Sequence, residues 1–430
     1  MSLDRQILRI AIPSIISNIT VPLLSLVDLA IVGHLGSTVY MAAIPIGGMV
    51  FNVMYWIFGF IRMGTSGLTA QAYGRRDLHE TARLFTRASV IALACAIVLM
   101  ILQWPIYHLA LWIMAPEPNV EQYVSVYFNI CIWGAPPSLL LFALSGWFLG
   151  MQDSRTPMTI AISQNVVNIL ASLFFVYALG MKVEGVALGT LIAQYLGLMI
   201  AIIVFMWRYR KIRMFLKWSG VFNRQDMRKF FLINRDIFFR TVCLVAVFLF
   251  FTAAGSWQGA TLVAVNAILL QFPLFFSYIM DGFAFAGEAL AGKFHGAGDM
   301  RNLRNLVNRL FFIGGAMTVL FTLVYVVGDK TIISLLTDEN SVIQAAQEYV
   351  GWIWIAPVAG VGAFVWDGIF VGITASRGML VSSAIATALF FLVFLSLYPF
   401  LYNHALWLAF TVYYAARGLA QTFIYMRKST

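Results

Sequence analysis

The segment ILRIAIPSIISNITVPLLSLVDLAIVG (residues 7–33) decides the fold class of this chain. As a helix it is long enough to cross the ~30 Å hydrocarbon core of a bilayer, and Arg9 and Asp28 are its only charged residues. Similar apolar stretches continue to the C-terminus, so that 61% of the 430 residues are hydrophobic and only 11% are charged. A soluble domain carries roughly 25% charged residues. The sequence therefore predicts an all-α integral membrane protein.

Twelve membrane spans can be drawn along the chain. Several exceed the ~20 residues that a perpendicular helix needs, which indicates tilted helices or helices that extend beyond the membrane. The predicted spans are 7–33, 40–70, 88–114, 123–150, 157–180, 185–208, 232–255, 259–290, 305–328, 343–372, 378–400 and 404–425.

The basic residues orient these spans. One set of alternate loops carries nearly all the arginines and lysines, most densely in the run from Arg208 to Arg240, and the positive-inside rule makes that set cytoplasmic. An even number of spans then places both termini in the cytoplasm of a bacterial inner-membrane protein. The net charge of +10 is explained by this topology, so no nucleic-acid partner is expected.

An internal repeat divides the chain into two halves. SGLTAQAYGRRD (66–77) aligns with EALAGKFHGAGD (288–299), and SGWFLGMQDSR (145–155) aligns with DGIFVGITASR (367–377). Both alignments have an offset of 222 residues, since 288 − 66 and 367 − 145 give the same number. We expect two six-helix lobes related by pseudo-two-fold symmetry. Their predicted ranges are 1–208 for the N-lobe, 209–231 for a basic cytoplasmic linker and 232–430 for the C-lobe.

Neither an enzyme nor a cofactor-dependent protein is indicated. The three cysteines lie in apolar stretches without the spacing of a disulfide framework or a zinc site. No P-loop, HExxH motif or supported catalytic triad is found. The chain is therefore expected to work without a cofactor, with the lipid bilayer as its surroundings.

One acidic residue stands apart from the other charges within spans. Asp28 lies near the outer end of the first span with no basic residue close in sequence, and a dry site would favour its protonated form. Depth counting places Asn165, Asn168 and Ser172 of the fifth span and Thr190 of the sixth at a similar level. These oxygens could hold a proton or a small hard cation. Alternatively, the amide and hydroxyl groups only form hydrogen bonds between helices.

Pro13 is a candidate hinge in the first span. It removes a backbone donor fifteen residues before Asp28, so the helix should be kinked or bendable there. A static kink is the alternative interpretation.

A second polar group lies in the cytoplasmic parts of other spans. Its candidate members are Arg62, Asp281, Glu288 and Asp367. They are interpreted either as an ion cluster with a structural or gating role, or as a transport site. Glu288 and Arg417 are also near enough to the helix ends to reach headgroup water.

Five stretches give the chain its resemblance to a known family. It resembles the multidrug and toxic compound extrusion (MATE) transporters of the DinF-type branch. The resemblance implies a MATE fold and export of organic, often cationic, compounds driven by inward proton or sodium flow. It also implies that the first-helix acid is Asp28, the fifth-helix amide Asn168, the sixth-helix hydroxyl Thr190 and the bending proline Pro13. The stretches are PSIISNITVPLLSLVDLAIVGHLG (13–36), GLTAQAYGRRD (67–77), GWFLGMQDSRTPM (146–158), LINRDIFFR (232–240) and DGFAFAGEALAGKFHGAGD (281–299).

Ser172 is a departure from that family pattern. Many relatives carry a second acid at its position. A site with one carboxylate offers less negative charge to a sodium ion but can still hold a proton. The leading hypothesis is therefore a monomeric, proton-coupled antiporter of small organic cations and amphipathic drugs. The alternatives are a sodium-coupled antiporter, with sodium at Asp28, Asn168 and Thr190, and a flippase of lipid-linked oligosaccharides. The flippase would need more deep cations than Arg62 and Arg417.

Overall fold

The computed structural model describes residues 2–33 and 38–429, in which every regular element is a helix. Within these ranges the side chains of Val21, Ser25, Leu26, Leu29, Val32, Thr38, Lys428 and Ser429 are not described. The end of the first family stretch, residues 34–36, lies outside the described residues.

Ten helices of the described residues precede residue 214. A short 3-10 turn at Ile132–Gly134 joins the sixth to the seventh, and a π-helical turn at Phe174–Ala178 follows the eighth. The helices are α1 (Leu3–Gly33), α2 (Thr38–Phe58), α3 (Phe60–Gly74), α4 (Leu78–Ile101), α5 (Gln103–Met114), α6 (Pro118–Cys131), α7 (Ala135–Gly150), α8 (Arg155–Leu173), α9 (Val183–Arg208) and α10 (Arg210–Arg213).

Seven helices complete the described chain. The first of them begins inside the segment that the sequence assigned to the linker, so helical structure resumes earlier than predicted. They are α11 (Arg224–Ser256), α12 (Ala260–Gly296), α13 (Met300–Leu336), α14 (Asn340–Ala346), α15 (Val350–Gly372), α16 (Ser376–Leu401) and α17 (Asn403–Ser429).

The helices form two compact units. The first unit is Ile12–Phe230, and the second unit is Phe231–Thr430 together with Met1–Ala11. The division falls within α1, whose first turns belong to the second unit. There Arg309 of α13 donates to the Asp4 carboxylate at 2.5 and 2.7 Å. The start of α1 is therefore fixed by a bidentate ion pair.

Helix bounds in the two units repeat at the offset of 222 found in the sequence. The stretch Thr38–Gly74 (α2 and α3) corresponds to Ala260–Gly296 (α12), because 38 + 222 = 260 and 74 + 222 = 296. In the same way Leu78–Met114 (α4 and α5) corresponds to Met300–Leu336 (α13). The repeat is thus a property of the structure as well as of the sequence.

Glycines allow corresponding helices to pack closely in both units. A Cβ atom added at Gly146 of α7 would lie 2.3 Å from the Arg62 carbonyl oxygen of α3. At the corresponding Gly368 of α15 it would lie 2.1 Å from the Ala284 carbonyl oxygen of α12. Since 62 + 222 = 284, the two contacts are equivalent. Only glycine permits this backbone approach.

Two helix starts differ from the prediction. The predicted spans at 88 and 305 begin at Leu78 and Met300, because Asp77 and Asp299 cap the helices. The Asp77 Oδ1 atom accepts a hydrogen bond from the Glu80 amide at 2.9 Å, and the Asp299 Oδ1 atom accepts one from the Asn302 amide at 3.0 Å. A capping carboxylate accepts a hydrogen bond from an amide of the first helical turn. The polar residues that precede each predicted span are therefore helical as well.

Eleven stretches of the described residues are long and apolar enough to cross a membrane. The helix α17 is not among them, although it has 27 residues. Its polar side chains lower its hydropathy, and Asn403, Arg417 and Gln421 are all buried inside the protein. The twelfth predicted span is thus a long helix whose polar face is covered by its neighbours.

Candidate functional site

Asp28 lies in the last two turns of α1, in the first unit. Its side chain is half-buried, and its Oδ1 atom is fully covered. That atom has no hydrogen-bond partner among the described residues. A carboxylate oxygen removed from water without a donor is energetically costly, so it is suited to taking up a proton or a cation.

The helix pair α8 and α9 positions the predicted amide and hydroxyl groups. The Asn168 Nδ2 atom donates to Thr190 Oγ1 at 3.0 Å, and that hydroxyl donates to the Val186 carbonyl at 3.1 Å. Ser172 is fully buried where α8 meets Gly189 of α9. The Asn168 Oδ1 and Ser172 Oγ atoms are buried and have no hydrogen-bond partner in the described part of the chain. Two further oxygens are therefore available beside the helix-to-helix bond.

Tyr127 of α6 is a buried neighbour of both Asp28 and Thr190. Cys131, one turn further along α6, also interacts electrostatically with Asp28. Neither residue stands out in the sequence, because a tyrosine and a cysteine in an apolar span carry no charge. Their spacing of four residues, which places them on one helix face, was the available signal.

Asn165 contacts α1 directly. Its Nδ2 atom donates to the Thr20 carbonyl at 3.2 Å, so α8 is joined to the half of α1 that carries Asp28. Pro13 is buried within the helix, two residues after the point where α1 passes from the second unit to the first. Proline has no backbone N–H group to donate to the preceding turn, so α1 lacks a hydrogen bond next to the boundary between the two units.

A second polar cluster forms around Asp367 of α15, in the second unit. Arg240 of α11 donates to its Oδ2 atom, Gln421 of α17 donates to its Oδ1 atom at 2.8 Å, and Arg417 of α17 lies 3.4 Å from Oδ2. The Arg417 guanidinium also stacks over the Tyr413 ring at 5.6 Å. Both Asp367 oxygens therefore have a partner, and the two arginines that neutralise its charge lie at Oδ2.

The expected members of this cluster lie on different helices. Asp281 and Glu288 belong to α12 and Asp367 to α15 in the second unit, and Arg62 belongs to α3 in the first unit. Glu288 is only 2% exposed and Arg417 only 3%, so the expectation that they reach headgroup water is wrong. Helix packing covers both side chains.

Arg240 was also assigned wrongly at the sequence level, as one of the loop cations. It lies well inside α11 and is 8% exposed. A basic residue with apolar neighbours on both sides in LINRDIFFRTVCLV was the signal that it needed an internal partner.

Two charged groups outside the spans have shifted pKa values. A hydrogen bond from the Asn302 amide lowers the pKa of Asp299, because it stabilises the carboxylate. Hydrogen bonding with Tyr40 raises the pKa of Lys182, whose Nζ atom lies 5.2 Å from the centre of the tyrosine ring. Both groups lie at connections between helices.

No cluster of three or more His, Cys, Asp or Glu residues that could hold a metal occurs in the described residues. The predicted coupling residues instead carry one carboxylate together with amide and hydroxyl oxygens. Such oxygens can bind a proton or, as neutral ligands around one charge, a weakly held hard cation.

Comparison with known proteins identifies the family. The MatE family model matches residues 13–174 and 237–397. The chain is 37% identical to DNA damage-inducible protein F of Escherichia coli (strain K12), over 99% of this chain and 93% of that protein. It is 23% identical to human Multidrug and toxin extrusion protein 1, over 80% of this chain and 60% of that protein.

A solved structure shares the fold. It is the outward-facing conformation of a multidrug resistance MATE family transporter of the MOP superfamily, with a TM-score of 0.90 and 17% identity, covering 100% of this chain and 96% of that one. The family match, the bacterial relative and this fold agree on a multi-pass membrane transporter and not an enzyme. The chain belongs to the MatE family.

Proposed function

We propose that this protein is a secondary antiporter that exports organic, often cationic, compounds in exchange for protons, with Asp28 as the coupling carboxylate. The names of its relatives support export of drugs and toxins, since the human relative is a multidrug and toxin extrusion protein. The bacterial relative, which is alike over nearly its full length, supports the same transporter class.

The buried and unpartnered Asp28 Oδ1 atom is the observation that carries the proposal. An anion at this oxygen is costly, and either a proton or a cationic substrate would relieve that cost. Two ligands that relieve the same cost compete for one carboxylate. Such competition gives exchange, because entry of the proton favours release of the cation.

Proton coupling is favoured over sodium coupling by the residue at position 172. Ser172 supplies a neutral hydroxyl, so Asp28 is the single acid beside Asn168 and Thr190. Sodium is the second candidate, since the unpartnered Asn168 Oδ1 and Ser172 Oγ atoms are the kind of ligand it takes.

Bending of α1 at Pro13 is the proposed conformational step. The helix is held at its start by the Asp4–Arg309 ion pair and beyond the proline by the hydrogen bond between Thr20 and Asn165. A change of charge at Asp28 would therefore act on a helix that can bend at Pro13, between these two contacts. We place the protein in the bacterial inner membrane as a monomer with both termini in the cytoplasm. The proposed lobes are residues 1–208 and 232–430, joined by the basic linker 209–231.

Proteoliposomes with the pH gradient and the sodium gradient imposed separately test the proposal. Transport of a fluorescent organic cation such as ethidium should follow the pH gradient and be indifferent to sodium. Transport driven by sodium alone would establish the second candidate. Transport that responds to neither gradient would refute antiport altogether.

A further inference from the structure

A groove between α8 and α9 is separate from the Asp28 site. Its volume is about 390 Å³, within the range of pockets that hold small molecules. Both helices belong to the first unit. The lining residues are Arg155, Thr156, Thr159, Ile200, Ile203, Val204, Trp207 and Arg208.

The polar end of the groove carries two positive charges. Arg155 is the first residue of α8 and Arg208 is the last residue of α9, so consecutive helices bring both guanidinium groups to one end. Arg208 is 3.0 Å from the Asp153 carboxylate, which also accepts a hydrogen bond from the Tyr209 hydroxyl. No acidic residue lines the groove itself. An anion there would meet two arginines, of which Arg208 also pairs with Asp153.

The remaining wall is apolar and open to the surroundings. Ile203 is 47% exposed and Trp207 is 73% exposed, and both lie on α9, which is one of the membrane-crossing stretches. Tryptophan near the end of a span is typical of the headgroup level of a bilayer. The groove therefore passes from a cationic, headgroup-level end to an apolar surface that faces lipid.

We propose that this groove is a binding site for an anionic glycerophospholipid. The phosphate would lie between Arg155 and Arg208, the Thr159 hydroxyl would face the glycerol region, and an acyl chain would cover Ile200 and Ile203. Arginine presents a planar fork of donors that matches a phosphate. A zwitterionic lipid has the same phosphate but brings its own cation, so the pair of arginines selects the anionic headgroup.

Lipid binding to the purified full chain in neutral detergent tests the site. Native mass spectrometry would be recorded during titration with dioleoyl-phosphatidylglycerol and, separately, with dioleoyl-phosphatidylcholine. Phosphatidylglycerol should bind in preference. Arg155→Gln should weaken its binding about fivefold, as expected for one basic group at the membrane surface. Arg155→Lys should retain most of the affinity, and Arg155→Gln combined with Arg208→Gln should lose more than either change alone.

Arg224→Gln is the matched control. Arg224 is an exposed first residue of α11 in the same unit and does not line the groove. Equal weakening by Arg155→Gln and Arg224→Gln would overturn the proposal, because it would indicate attraction by net charge alone. Inorganic phosphate that binds as tightly as the lipid and displaces it would overturn the lipid assignment. Thermal unfolding of each variant identifies any loss of binding that comes from misfolding.

Discussion

Equivalent positions in the two units carry opposite chemistry. The offset of 222 pairs Asp28, Asn168 and Ser172 of the first unit with Phe250, Phe390 and Phe394 of the second. In the second unit the Phe250 ring centre is 5.9 Å from that of Phe390 and 5.1 Å from that of Phe394. The same helix framework therefore encloses a polar site in one unit and an aromatic cluster in the other.

This difference teaches that the fold does not need polar groups at these positions. Three phenylalanines fill the space with buried apolar surface and leave no polar atom to satisfy. At these three positions the first unit instead has three buried oxygens, one from each polar residue, that have no hydrogen-bond partner among the described residues. Groups that cost stability and are not required by the framework are best explained by function.

The largest expected effect comes from changing the acid and its aromatic counterpart in turn. Asp28→Asn should reduce substrate efflux from proteoliposomes to the level of protein-free liposomes, because an amide cannot exchange a proton. Phe250→Leu, the matched change in the second unit, should retain efflux. If both variants lose efflux to the same extent, the contrast between the units fails.

The ion cluster of the second unit should matter for stability. Asp367→Asn leaves two buried arginines without their acid, which costs about 3–5 kcal/mol in comparable buried pairs. Unfolding in detergent measures this loss, with Asp338→Asn as the exposed control in the same unit. The dependence of transport on the pH gradient should be unchanged in the folded fraction. A loss of stability no larger than that of the control would refute the structural role of the cluster.

The glycine contacts test how closely the two frameworks correspond. Gly146→Ala and Gly368→Ala should each lower the free energy of unfolding by about 1–3 kcal/mol, because the added methyl group meets a backbone carbonyl in both cases. Gly48→Ala and Gly351→Ala are controls, since a Cβ atom there meets nothing within 4 Å. A loss at only one of the two contact glycines would show that the frameworks differ.

The smallest effect is expected at the cap of α13. The pKa of Asp299 is lowered on folding, so its contribution to stability is present above the unfolded value of 3.8 and is lost as the pH falls through the folded value. Asp299→Asn keeps a capping oxygen but does not titrate. The unfolding temperature should therefore be slightly lower at neutral pH, where the carboxylate contributes, and should change less as the pH falls into the acid range. If the unfolding temperature of the variant falls in acid as much as that of the unchanged protein, this cap is not the source of the acid dependence.

The fold could be predicted well because membrane helices leave strong local signals. Length and hydropathy located the spans, and the repeat at 66–77 and 288–299 indicated the internal duplication that the helix bounds display. Helix ends were less predictable. The capping by Asp77 depends on one hydrogen bond to the Glu80 amide, which hydropathy does not detect.

The candidate site could be predicted only where a residue is costly in a membrane. Asp28 stood out as an acid and Asn168 as an amide, whereas Tyr127 is an ordinary residue of an apolar helix until its neighbours are known. Arg240 was misassigned for the opposite reason. Its charge suggested a position in a loop, although it pairs with Asp367 of α15 inside the protein. Pairing across helices is long-range information that a linear sequence does not display.

Proton release on substrate binding to the purified protein tests the central claim most directly. Calorimetric titration with an organic cation in two buffers of different ionisation enthalpy counts the protons released. The account predicts that the unchanged protein releases protons on binding and that Asp28→Asn binds the cation without releasing any. Equal proton release from both proteins would contradict the assignment of Asp28 as the coupling carboxylate.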